Sequence, residues 1–78
     1  MRAIIQRVKE ASVWVEGEEI ASIGKGLLVF IGVGQGDDDR AIGYIVDKTL
    51  HLRIFEDLEG KMNLSVKDID AQVLIISQ

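Results

Sequence analysis

Twice in 78 residues the chain runs through four or five apolar side chains with no polar break, at Leu27–Ile31 and again at Val73–Ile76. Leu27-Leu28-Val29-Phe30-Ile31 is bounded by Gly26 and Gly32. An uninterrupted apolar run of strand length between glycines is expected of a central strand covered on both faces. The second run predicts another buried strand. Two such strands need a sheet with something packed on it, and the residues between them contain a helix to do so.

That helix is expected over residues 39–51. Ile42, Ile45, Val46, Thr49 and Leu50 recur at helical spacing, and Asp37-Asp38-Asp39 supply an N-cap and negative charge at the positive end of the helix dipole. Before the first run, residues 2–16 read as one long β-branched strand, bulged near Lys9–Ala11 where the alternation slips. Glu16-Gly17-Glu18 predicts a hairpin turn, with residues 19–23 returning. Residues 52–64 read as a short strand, a turn at Leu58-Glu59-Gly60 and a short return. Ser65 to Ile69 read as one helical turn, with Asp68 at the capping-box position. The fold class expected is α/β, a mixed β-sheet with one main amphipathic helix.

A chain this short buries a modest fraction of its surface, and small folds lean on disulfides, metals or partners. There is no cysteine and one histidine, so disulfides and a Cys-rich zinc site are excluded, and the sequence gives no basis for a metal or an organic cofactor. With 47% hydrophobic residues, oligomerisation is the device left. The net charge of -4 and pI of about 4.8 argue, taken alone, against tracking a phosphate backbone. Arg2, Gln6, Arg7, Lys9 and Glu10 break the first apolar stretch, so it does not read as a signal peptide. No stretch approaches the roughly 20 apolar residues of a membrane span. A cytoplasmic location fits the lack of cysteine.

Several local patterns admit a chemical and a plain reading. Gly32-x-Gly34-x-Gly36 lacks the further glycine of a phosphate loop and is followed by three aspartates, so it reads as a strand-to-helix connection. His51 falls in the last helical turn, where an imidazolium favours the final carbonyls. Glu56, Asp57 and Glu59 read as a solvated turn rather than a metal site. Trp14 and Phe55 could stack on a base, or pack in a core or interface. Ser77 could donate a hydrogen bond in catalysis, or simply end a strand.

Taken in order, these segments resemble a known family. Met1-Arg2-Ala3-Ile4-Ile5-Gln6-Arg7-Val8, Ala11-Ser12-Val13, Ile23-Gly24-x-Gly26-Leu27-Leu28, Leu52-Arg53-Ile54-Phe55-Glu56-Asp57 and Glu59-Gly60-Lys61-Met62-Asn63-Leu64-Ser65 are similar to segments of D-aminoacyl-tRNA deacylases, also called D-tyrosyl-tRNA deacylases. Ser77-Gln78 resembles the first two residues of that family's Ser-Gln-Phe-Thr-Leu motif. The resemblance implies hydrolysis of the ester joining a D-amino acid, or glycine, to the tRNA 3′ end, in chiral proofreading by a homodimer.

It further implies that Ser77 and Gln78 lie at the oxyanion side of the site. Arg7 supports a Gly-cis-Pro filter that crosses between subunits, and Lys61, Met62, Asn63 and Phe55 are candidates for the pocket wall. The partner implied is the aminoacylated 3′ adenosine. The 78 residues contain no proline and no Phe-Thr-Leu, so residues 1–78 read as a single partial domain, the N-terminal half of the family's domain. A fragment, a truncated product and half of a split protein all remain open. So do an inactive half-domain that serves oligomerisation or interaction, and the related editing domain of archaeal threonyl-tRNA synthetases.

Overall fold

A computed structural model describes residues 1–77. The elements run β1 (Arg2–Val8), β2 (Ala11–Val15), β3 (Glu18–Ile23), β4 (Gly26–Gly32), α1 (Asp39–His51), β5 (Phe55–Glu56), β6 (Met62–Leu64) and β7 (Gln72–Ser77). Three of them form the main sheet in the order β1-β4-β7, with β4 antiparallel to β1 and parallel to β7. The hairpins β2-β3 and β5-β6 are separate two-stranded sheets. Mixed sheets with one helix are the α/β class expected from the sequence.

The core lies on one face of the main sheet. Leu27, Val29 and Ile31 alternate along β4 and are buried, joined by Phe55 and Val66 from the long connection between α1 and β7. Ala3, Ile5, Ile45, Leu50 and Val73 pack around them. The other face, carrying Leu28 and Phe30, is only half covered. The run at 27–31 is therefore central in the sheet but sealed on one side, a correction to the two-sided burial expected. In the edge strand β7 only Leu74 is buried, and it lies on the Leu28 face, whereas Ile75, on the Val29 face, is 52% exposed.

Residues 2–16 are two strands, not one. The chain leaves the sheet at Lys9-Glu10, and β2 pairs with β3 instead of continuing along β4. The register irregularity sits at Val13/Trp14 rather than at 9–11. Val15 pairs with Glu18, so the hairpin loop is Glu16-Gly17. Both residues take positive φ, 51° and 78°, as a two-residue turn matching strand twist requires.

Asp38 is the N-cap of α1, accepting from Ala41 N at 3.1 Å. Asp37 has a different job: its Oδ2 accepts from Gly34 N at 2.7 Å and pairs with the Met1 ammonium at 2.9 Å, tying the start of β1 to the loop before the helix. Residues 66–70 form consecutive turns rather than a helix. The reciprocal bonds expected there are present, Ser65 N to Asp68 Oδ2 at 2.8 Å and Asp68 N to Ser65 Oγ at 3.2 Å.

The result is a slab with principal extents of 42 × 35 × 15 Å. Its radius of gyration is 13.8 Å, against about 11.5 Å for a compact domain of this length. It exposes 5887 Å², where a monomer of 8.6 kDa would average about 4,700 Å². Trp14, Ile20 and Ile4, each 60% exposed, belong to that excess.

Candidate active-site surface

Cross-strand partners share a face of a sheet. The registers Arg7↔Leu27↔Val73 and Ala3↔Ile31↔Ser77 therefore put Arg7 and Ser77 on the core-bearing face, at opposite ends and on opposite edge strands. Four residues along and two strands across make that separation about 16 Å. The two do not touch each other. Ser77 is exposed at the end of β7, pairing with Ile31 in a ladder whose earlier members are fixed by the core. Gln78 lies outside the described residues.

Arg7 ends β1. Its Nη1 donates to Ile54 O at 2.9 Å, which fastens the chain entering β5 against the sheet. The next residue, Phe55, is 3% exposed, and its ring lies under the Lys25 ammonium, 5.9 Å from the centroid. Together they shape a cleft of about 530 Å³ lined by Arg7, Val8, Lys9, Lys25, Phe55 and Glu56. Phe55 is thus at once core and cleft floor.

Lys61, Met62 and Asn63 do not line this cleft. They belong to the β5-β6 hairpin and are exposed. Asp57 organises that turn: its Oδ1 accepts from Glu59 N at 2.8 Å and Lys61 N at 3.0 Å. The Lys61 and Glu59 N–H groups hold the Asp57 carboxyl below its ordinary value. Gly60 takes a φ of 77° at the same turn. Glu56 lines the cleft, while Asp57 and Glu59 belong to the turn. His51 Nδ1 donates to Asp47 O at 2.8 Å within the last turn of α1. Trp14, expected in a core or an interface, is exposed, and its Nε1 donates to Ser12 Oγ at 3.0 Å.

Lys9 and Lys25 are cleft residues that the sequence reading did not single out. Lys9 follows Val8 and Lys25 precedes Gly26, the last pair of the β1-β4 ladder, so both flank its end. That neighbourhood is visible only once β1 and β4 are known to be antiparallel neighbours.

Mixed sheets with one helix define an α/β protein. The family model for D-Tyr-tRNA(Tyr) deacylase matches residues 4–78, and the chain belongs to that family. It is 55% identical over 78 residues to a D-aminoacyl-tRNA deacylase of Halothermothrix orenii, covering 100% of this chain and 52% of the relative. A D-aminoacyl-tRNA deacylase of Syntrophobacter fumaroxidans is 56% identical over the same span and share. Among solved structures, one titled c-Myc DNA Unwinding Element Binding Protein superposes with a TM-score of 0.95 at 43% identity, over 100% of this chain and 53% of that one. The chain thus spans about half the length of the relatives it matches. No helix among the described residues is long and apolar enough to cross a membrane.

Proposed function

We propose that this chain carries the N-terminal part of a D-aminoacyl-tRNA deacylase site, which hydrolyses the ester of D-aminoacyl-tRNA, and of glycyl-tRNA, as chiral proofreading in translation. The observation that carries the reading is the unbroken family match over residues 4–78, at 55% identity to named deacylases. In the reaction, water attacks the ester carbonyl and the acyl–oxygen bond breaks. The amino acid leaves as its acid and the terminal ribose hydroxyl is restored. Charge develops on the carbonyl oxygen, and fixed donors aimed at that position lower the barrier.

Ser77 and Gln78 are the proposed donors on the oxyanion side. Support comes from the placement of Ser77 at the end of a strand locked in register by Leu27, Val29 and their partners, since a site held by rigid elements loses less to reorganisation. No serine nucleophile is invoked. Arg7 is proposed to steady a filter reaching across a homodimer.

The test is ester hydrolysis of D-tyrosyl-tRNA and L-tyrosyl-tRNA by the folded chain. The expected result is release from the D-ester only, reduced about 100-fold or more in Ser77→Ala, the scale of losing one oxyanion donor. Equal cleavage of both esters, or none at saturating enzyme, would sink the reading for this chain.

A second reading, that the chain acts as an assembly half, is favoured by one observation. The surface excess of about 1,200 Å² exceeds the roughly 800 Å² per partner of a standard interface. A monodisperse monomer by light scattering at high concentration would count against it.

A further inference from the structure

We propose that the open edge of β7 docks the same edge of a second copy of this chain, so that two β7 strands pair antiparallel and join two main sheets into one. The inference rests on the assembly reading above and gives it a surface. Strand β7 ends the order β1-β4-β7, so it is hydrogen-bonded to β4 and to no strand on its other side among the described residues. Sheet edges are ordinarily guarded by charges, proline or bulges. The opposite edge follows that rule, since β1 carries Arg2 and Arg7. Strand β7 does not. It reads Gln72-Val73-Leu74-Ile75-Ile76-Ser77, with no charge and no proline, and its register with β4 runs without irregularity.

The surface beside this edge is apolar as well. Val46 of α1 and Val73 and Ile75 of β7 share the walls of a groove of about 90 Å³. Val46 is 39% exposed and Ile75 52%, and Ile42, one helical turn before Val46, is 40% exposed. Residues four apart share a helix face, so Ile42 and Val46 form one strip. An added strand satisfies the free main chain of β7 and brings side chains against Ile75 and that strip.

A second copy is the occupant the observations favour. A two-fold contact needs a patch that complements itself, and an uncharged strand edge does. The chain exposes 5887 Å², about 1,200 Å² above the average for its mass, more than the roughly 800 Å² per partner of a standard interface. The register follows too. Gln72 is tied to the turn before β4, its N donating to Lys25 O at 3.2 Å and its Oε1 accepting from Gly24 N at 2.8 Å. That leaves Val73–Ser77 free, with Ile75 at the midpoint. Two antiparallel copies centred there set Ile75 against Ile75 and Val73 against Ser77. Opposite residues share a face, so both helices lie on one side of the joined sheet. The proposed donor Ser77 of each copy then has Val73 of the other as its neighbour. The contact uses β7 and α1 alone, and none of the Gly-cis-Pro element that the family resemblance implies between subunits.

The chain has no cysteine, so a single introduced one reports its own neighbours. Ile75→Cys, oxidised with glutathione disulfide, should run as a covalent dimer on a non-reducing gel, because opposite Cα atoms of an antiparallel pair lie about 4.5–5.5 Å apart, within disulfide reach. Ser77→Cys is the control on the same face: the two copies of residue 77 would lie about 14 Å apart, beyond that reach. Light scattering of the parent should give the mass of a dimer. Ile75→Lys, shown by circular dichroism to be folded, should raise the dissociation constant about tenfold or more, since like charges then meet at the two-fold.

Failure of Ile75→Cys to cross-link would overturn the pairing, as would equal cross-linking of Ser77→Cys or a dimer that Ile75→Lys leaves intact. Each of these moves the contact to another surface and leaves the assembly reading standing. A parent larger than a dimer overturns the closed two-fold contact. A parent that stays monomeric removes both readings and leaves the edge to a strand of another protein.

Discussion

Gly26 is the position where one methyl group should undo the sheet. It begins β4 and pairs with Gln72, the first residue of β7. A Cβ placed there would sit against the Gln72 backbone, 2.7 Å from its carbonyl carbon and 3.0 Å from its nitrogen, and nearer still to its oxygen. Ordinary contacts are 3.4–4 Å, and the obstacle is main chain, which cannot rotate away. The start of β7 has to move outward.

Two hydrogen bonds depend on its present place, Gln72 N to Lys25 O at 3.2 Å and Gly24 N to Gln72 Oε1 at 2.8 Å. Each is worth about 1 kcal/mol net. Overpacking strain adds about 1–3 kcal/mol. Gly26→Ala should therefore cost about 3–5 kcal/mol, close to the whole stability of a chain this size at about 0.05–0.15 kcal/mol per residue.

Urea unfolding followed by far-ultraviolet circular dichroism measures it. The proper control is Gly43→Ala in the interior of α1, where an added Cβ meets nothing within 4 Å and the helix gains about 1 kcal/mol. A Gly26→Ala midpoint within about 0.5 M of the parent would refute the reasoning, since it would mean that β7 is not held against β4 at this point.

Phe55→Ala should cost about 3–5 kcal/mol by opening a cavity at the edge of the core, read from the urea midpoint. Three carboxyls are held below their ordinary value: Asp37 by the Met1 ammonium and Gly34 N–H, Asp57 by the Lys61 and Glu59 N–H groups, and Asp68 by the Ser65 N–H and hydroxyl. Because folding lowers these values, the stability they bring is complete above about pH 4 and is lost as pH falls below it. Thermal melts should be flat from pH 7 to 5 and drop steadily toward pH 2.5, with Asp57→Asn and Asp68→Asn each flattening that drop. Asp38→Ala should lower stability by about 1 kcal/mol through loss of the helix cap, read from the urea midpoint.

Much of this architecture was legible in residue order. Helix α1 announced itself through Ile42, Ile45, Val46, Thr49 and Leu50 and through the aspartates before it, because helical period and capping are local properties. The reciprocal Ser65/Asp68 bonds followed from spacing for the same reason. What residue order could not supply was partnership. Residues 2–16 have strand character throughout, and nothing local marks Lys9-Glu10 as the place where one strand leaves β4 and another takes up β3.

Similarly, an apolar run shows that burial is wanted, not how many faces receive it. Leu28 and Phe30 are as apolar as Leu27 and Val29, yet they sit half covered. Ser77 and Arg7 were legible as family positions. Their placement on one face but opposite edges required the register.

The parallel pairing of β4 with β7 also sets the order in which the molecule can become itself. Gly26 and Gln72 are partners across 46 residues, whereas Arg2 and Gly32 meet across 30. On a ribosome adding about 5–20 residues per second, β7 follows its partner by about 2–9 s. Throughout that interval the β1-β4 pair is complete, with the free side of Leu27–Ile31 open to any extended apolar segment that drifts past. The nascent chain is therefore most exposed to wrong pairing while α1 and the β5-β6 hairpin are being made. Early folding of that helix over Val29 and Ile31 would be its natural safeguard.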